Sequence, residues 1–203
     1  MIKALFFDID GTLVSFSTHL IPQSAIKAIT KAKEKGIKIY ISTGRPLSLI
    51  NNIDSIKHLI DGYITTNGAY CIVKGEVISC NPIPENDVLT VMRLADEMNF
   101  ACMVVGENDL AVYNSNDKVD VIFRQMLNVQ NLKENVPMEP ILKQRILQLT
   151  PIISDAEERI IMPHLTGCIS SRWYPDFTGV SHRKPLRSHN AHSGDVHRKP
   201  RKK

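Results

Sequence analysis

Two aspartates two residues apart, Asp8 and Asp10, close an apolar run and are followed at once by Gly11-Thr12-Leu13. Carboxylates at the end of a buried strand share the crevice outside its carboxyl end, where open α/β sheets bind ligands. One of the pair can attack an electrophile while the other handles protons, and such acids can also hold a hard cation. A bare Asp-x-Asp is more often two acids in a solvated loop, but the apolar approach and the glycine turn argue against that here. A second cluster, Ser42-Thr43-Gly44-Arg45-Pro46, ends another apolar run. A hydroxyl, a flexible glycine and the N–H groups of a starting helix are what a phosphate group needs. Ser or Thr before Pro usually just caps a helix, so this cluster is weak by itself. At adjacent strand ends the two clusters support each other and indicate phosphate chemistry. Asn67-Gly68 closes a third run, although Asn-Gly is first of all a turn. Arg45 could reach a phosphate or a carboxylate, or pair with a neighbouring acid.

The elements that must position these residues follow from hydrophobic spacing. Residues 2–9 are a nearly continuous apolar run, as in a parallel strand buried on both faces. Pro22 suits a helix start, Ala25, Ile26, Ile29 and Ala32 recur at helical spacing, and Gly36 closes the segment. Residues 37–42 and 62–66 read as further strands, with a helix expected between them from Pro46 through Ile56. Strand and helix alternating at this spacing argue for a parallel sheet with right-handed crossovers. Beyond Gly68 the pattern changes. Hairpins are expected at 70–79 and 100–114, helices at 85–99, 117–129 and 155–162, and strands at 145–153 and 167–173. A second, α+β unit inserted into the first is the simplest account.

With these elements in place, Asp8-Ile9-Asp10-Gly11-Thr12-Leu13 resembles the Asp-x-Asp-Gly-Thr-Leu motif of the haloacid dehalogenase (HAD) superfamily. Thr43-Gly44-Arg45-Pro46 and Thr66-Asn67-Gly68-Ala69 resemble its Cof-type phosphatases, which carry a type IIB cap. The resemblance covers residues 1 to about 178. It implies an α/β fold: a HAD-like Rossmannoid parallel-sheet core at 1–84, an α+β cap at 85–173 and a return to the core at 174–181. It also implies a phosphatase of small phosphorylated metabolites, mostly sugar phosphates. Asp8 would be the nucleophile that forms an aspartyl-phosphate, and Asp10 would protonate the leaving alcohol and then activate water. Thr43 and the Gly44 amide would hold the phosphoryl group, with Arg45, Asn67 and Gly68 facing the substrate. Mg2+ would be the cofactor, bound by the Asp8 carboxylate and the Asp10 backbone carbonyl.

The family pattern also includes a later lysine and an acidic Gly-Asp-Gly-x-Asn-Asp motif, neither recognisable here; Lys184 and Gly194-Asp195 lack a strand pattern around them. The core is therefore expected to be incomplete at its C-terminal end, as a reading-frame slip or premature ending would leave it. Activity is expected to be impaired; the alternative is a non-catalytic remnant that at most binds a phosphorylated ligand.

Charge supports the same division. The formal net charge of +4 arises because residues 182–203 carry +7 while residues 1–181 carry −3. Leu186, Ala191 and Val196 are the only apolar residues of that basic tail, too few to offset the entropy of ordering it. The tail has no aromatic residue to stack on a base, and the body is mildly acidic, so nucleic-acid binding is not expected. No run approaches the roughly 20 apolar residues of a membrane span. Cys71, Cys80, Cys102 and Cys168 lie far apart with no Cys-x-x-Cys pair, and are expected as reduced thiols of a cytoplasmic protein.

Overall fold

Five strands form the first sheet: β1 (Ala4–Phe7), β2 (Lys38–Ser42), β3 (Gly62–Thr65), β4 (Tyr70–Val73) and β5 (Glu76–Cys80), side by side in that order. The computed structural model describes residues 1–183 apart from 16, 127, 128, 130 and 131, and the side chains of Met126 and Trp173 are not included. The basic tail, from Lys184 through Gly194-Asp195 to the end, lies outside the described residues. Strands β1, β2 and β3 are mutually parallel, in register from Phe7 beside Ile41 to Ser42 beside Ile64. Strands β4 and β5 continue the sheet as an antiparallel hairpin.

Helix α1 (Gln23–Glu34) covers one face of this sheet. Ile29 packs with Ile9, Ile39, Ile41, Ile53 and Ile56 in a shared core, with Leu5 and Phe7 against it. The opposite face of β1 differs from expectation. In place of burial on both faces, Phe6 is 58% exposed and stacks on Tyr40, ring centroids 5.0 Å apart. An apolar residue at every position of residues 4–7 conceals the period-2 alternation that normally marks a half-buried strand.

The helix expected from Pro46 through Ile56 is absent. Single 3-10 turns at Leu47–Leu49 and Lys57–Leu59 replace it, joined by loop. Asn51, Asn52, Asp54 and Ser55 compete for backbone hydrogen bonds, and Arg45 Nη1 donates to the Leu49 carbonyl at 3.0 Å, taking an acceptor a helix would use. Ile53, Ile56 and Leu59 reach the core from turns instead.

At the amino end of these strands Asp61 ties the sheet together. Its carboxylate accepts from Lys33 Nζ at 2.5 Å, Lys38 Nζ at 3.4 Å and the Ile39 N–H at 2.9 Å. Burial by itself would raise the carboxyl, but Lys33, the Ile39 N–H and Lys38 outweigh it and hold it below its usual value. A depressed carboxyl stabilises the fold above its unfolded-state value of about 3.9, and that contribution fades as pH falls through the lower folded-state value. Asp61→Asn is expected to cost about 1–3 kcal/mol at neutral pH and to flatten the acid limb of stability against pH. Thermal unfolding followed from about pH 3 to 7 checks both.

The second sheet is antiparallel, in the order β7-β6-β8-β10-β9, built from β6 (Cys102–Gly106), β7 (Leu110–Tyr113), β8 (Ile146–Pro151), β9 (Cys168–Tyr174) and β10 (Phe177–His182). Residues 174–181, expected to return to the first sheet, instead make a tight turn at Pro175-Asp176 and run back as β10 between β8 and β9. Val180 pairs with Leu149 in mid-sheet. One face is covered by α2 (Glu85–Met98), α4 (Glu139–Leu142) and α5 (Asp155–Ile161), through Val88, Val91, Ile141 and Ile161. The helix expected over 117–129 is a single α turn, α3 (Asp117–Val119), continued by wider π-type turns at Asp120–Met126. It lies on the other face, where Phe123, Val119, Met103, Val105 and Phe177 cluster. Leu49 of the first unit packs on that cluster, so this face looks toward the parallel strand ends.

The four cysteines are free. Burial pushes the Cys102 thiol up to about 12, and burial with a contact to the Asp87 carboxylate does the same for Cys168.

Candidate active site

Each strand end contributes through a turn set by its own residues. After β1, Ile9 is fully buried, which leaves Asp8 and Asp10 on either side of an anchored residue. The Leu13 N–H donates to the Asp8 carbonyl at 3.2 Å and the Val14 N–H to the Ile9 carbonyl at 2.8 Å, closing the loop. Gly11 completes it at φ 70, a conformation that costs glycine little. Asp8 is exposed and no cation among the described residues pairs with it.

After β2, Thr43 is 6% exposed and its N–H donates to the Ile64 carbonyl of β3 at 2.9 Å. The Arg45 N–H donates to Thr43 Oγ1 at 3.2 Å, which leaves the hydroxyl proton to be offered outward. The Arg45 guanidinium grips Asp10 in a fork, Nε to Oδ2 at 2.8 Å and Nη2 to Oδ1 at 2.7 Å. Both side chains are partly sheltered, 24% and 36% exposed, a geometry stronger than an ordinary surface pair.

After β3, Thr66, Asn67 and Gly68 adopt φ values of 49, 54 and 82 in succession. For β-branched Thr66, fully buried, that is a strained conformation. It is held by the Thr66 N–H, which donates to the Arg45 carbonyl at 3.1 Å. The Asn67 side chain lies over Gly44 so closely that a Cβ there would sit 3.1 Å from Asn67 Oδ1.

Asp8, Thr43, Gly44, Asn67 and Gly68 line one recess of about 460 Å3. A second space of about 610 Å3 shares Asp8, Thr43, Gly44 and Asn67 with it and adds Asp10 and Arg45. Its far wall comes from the second sheet: Met103, Phe123, Gln148, Tyr174 and Phe177. The structure thus brings every candidate site residue to one place, with Arg45 turned onto Asp10. The second-sheet residues are not among those the sequence singles out for the site. Only Gln148 leaves a trace in the sequence, as an amide within the apolar run of residues 145–153. His19 is exposed and also borders the space.

The oxygens suit a hard cation only in part. The Asp8 carboxylate is open, but that of Asp10 is taken by Arg45, and among the described residues no three His, Cys, Asp or Glu side chains converge.

Comparison with known proteins finds the same fold. The fold superposes on a HAD subclass IIB sugar phosphatase, BT4131, with a TM-score of 0.80 and 43% identity over 89% of this chain and 70% of that one. BT1666 from Bacteroides thetaiotaomicron, a phosphatase of the same superfamily, gives a TM-score of 0.77 and 35% identity over 90% of this chain and 67% of its own. YkrA of Bacillus subtilis (strain 168), a phosphatase by name, is 31% identical over 109 residues, 53% of this chain and 41% of YkrA. The chain thus spans less than half the length of the curated relatives it matches. The sequence profile of the haloacid dehalogenase-like hydrolases matches residues 5–165, and the chain belongs to that family.

Proposed function

We propose that the chain is built as a Mg2+-dependent phosphatase of small phosphorylated metabolites, sugar phosphates foremost. The observation that carries this reading is the convergence of Asp8, Thr43 and Gly44 at adjacent parallel strand ends, under a space roofed by a second sheet. The Thr43 hydroxyl and the Gly44 N–H donate to phosphoryl oxygens. An Asp8 carboxylate oxygen attacks phosphorus as the bond to the leaving oxygen breaks, and Asp10 gives that oxygen its proton. Asp10 then takes a proton from water, which attacks phosphorus, frees phosphate and restores Asp8. Arg45 occupies both Asp10 oxygens, so the proton step requires this fork to loosen. Mg2+, when bound, would offset charge on the phosphoryl oxygens. The second sheet, as the cap, selects the organic part, and Arg45, Asn67 and Gly68 lie where the substrate enters.

Family membership and the sugar phosphatase BT4131 support this reading. Four free thiols suit a reducing compartment, and we place the protein in the cytoplasm. No helix among the described residues is long and apolar enough to cross a membrane.

A second reading, binding without turnover, is favoured by the occupied Asp10 carboxylate and the thin donor set. Mg2+ is therefore expected to bind this 203-residue chain weakly, with Kd of about 1 mM or above, and turnover to stay below about 1 s⁻¹. Calorimetric titration with Mg2+ reads the first. Phosphate release from a panel of sugar phosphates, with and without Mg2+, reads the second and tests the function. Release above buffer that depends on Asp8 supports the phosphatase, and binding with no release at any Mg2+ concentration supports the alternative.

A further inference from the structure

The wall contributed by the second sheet contains one residue that its surroundings do not explain. Gln148 lies in mid-β8 with 1% of its surface exposed. It stands opposite Val105 in the sheet, and Thr150 stands opposite Met103, so all four share the face that looks toward the strand ends. Gln148 Nε2 donates to Thr150 Oγ1 at 3.1 Å, and Oε1 meets no hydrogen-bond partner among the described residues. As oriented, the amide makes its one bond through Nε2, and its carbonyl pole is left unpaired. Leaving such a pole unpaired beneath a cavity is unfavourable, and a leucine of similar size would fill the place without that penalty. A group that is unsatisfied in the free protein and borders a ligand-sized space is positioned to pair with a ligand.

Resting on the phosphatase reading above, we propose that Gln148 recognises a hydroxyl on the leaving group of the phosphate ester. A hydroxyl both donates and accepts, so it satisfies either pole of the amide. The rest of the wall fits the same ligand. Tyr174 and Phe177 lie in a stacked arrangement, ring centroids 6.0 Å apart, with Met103 and Phe123 beside them, an apolar surface suited to the C–H face of a sugar ring. The substrate class is thus a phosphate monoester of a ring polyol, anchored by phosphate at Thr43 and Gly44 and read at its far end by Gln148.

The test is calorimetric titration of the full chain and of Gln148→Leu with inorganic phosphate, a panel of hexose phosphates and their monodeoxy counterparts. The parent chain is expected to bind at least one hexose phosphate more tightly than inorganic phosphate, and to lose about tenfold for the counterpart lacking the recognised hydroxyl. Gln148→Leu is expected to lose about tenfold for that hexose phosphate relative to inorganic phosphate, and to bind it and its deoxy counterpart alike. Its melting temperature should equal or exceed the parent's, because an unpaired buried pole has been removed; a structural role for the amide would lower it. Gln148→Glu provides a second reading of the same position, with discrimination between the two ligands altered rather than abolished. Equal discrimination by parent and Gln148→Leu overturns the assignment of Gln148 and leaves the phosphatase reading intact. Failure of the parent to bind either inorganic phosphate or any hexose phosphate overturns both.

Discussion

Asp8→Asn is expected to bring phosphate release down to the buffer background, a loss on the order of 10⁴-fold or more, the scale seen when a covalent nucleophile is removed. The amide keeps the shape of the side chain but replaces the anionic carboxylate with a neutral group whose oxygen is a poor nucleophile. Asp8 is exposed at the end of β1, and no cation among the described residues depends on it. The melting temperature should therefore stay at the parent value, which separates lost chemistry from lost structure. A phosphoryl adduct trapped by acid quench and mapped to the peptide containing Asp8 in the parent, and absent from the variant, is the accompanying measurement. Parental turnover in Asp8→Asn would refute the assigned mechanism.

Asp10→Asn is expected to lower turnover by about 10²–10⁴-fold through lost proton transfer. The leaving group decides how much. An alkyl phosphate such as a sugar phosphate leaves as a poor alkoxide unless protonated, whereas p-nitrophenolate leaves without help. The loss should accordingly be far larger for sugar phosphates than for p-nitrophenyl phosphate during formation of the intermediate. A purely structural role predicts equal loss on both, because the variant would then only have removed one of the two carboxylate oxygens that the Arg45 guanidinium grips at 2.7 and 2.8 Å. Single-turnover rates on the two substrates distinguish the outcomes.

What the sequence could convey depended on whether the information was local. Strand ends were legible because Gly11, Gly44 and Gly68 punctuate apolar runs, and the turn after β1 is closed by residues three to five positions away. Residue type and spacing therefore gather Asp8, Asp10, Thr43 and Gly44 into one site, and the family resemblance adds Asn67 and Gly68. The fork between Arg45 and Asp10 spans 35 positions, and nothing local could choose between that partner and a phosphate. The segment after Pro46 misled because Leu49, Ile50, Ile53 and Ile56 have helical spacing, while the polar residues between them favour turns. Strand β10 was concealed by Thr178 and Gly179, which interrupt its apolar pattern although the segment is buried. Tyr174 and Phe177 gave no sign of a role at the site, because residues 174–181 are expected in the sequence to return to the first sheet.

The left-handed turn at residues 66–68 has a consequence for how this protein tolerates heat and change. A buried β-branched residue at φ 49 holds about 1–3 kcal/mol of backbone strain. A domain of this size has a margin of only about 5–15 kcal/mol between folded and unfolded. A sizeable share of that margin is thus committed to three residues whose visible return is the placement of Asn67 above Gly44. A substitution that relaxes the backbone at position 66 therefore also loosens the turn that holds Asn67 above Gly44.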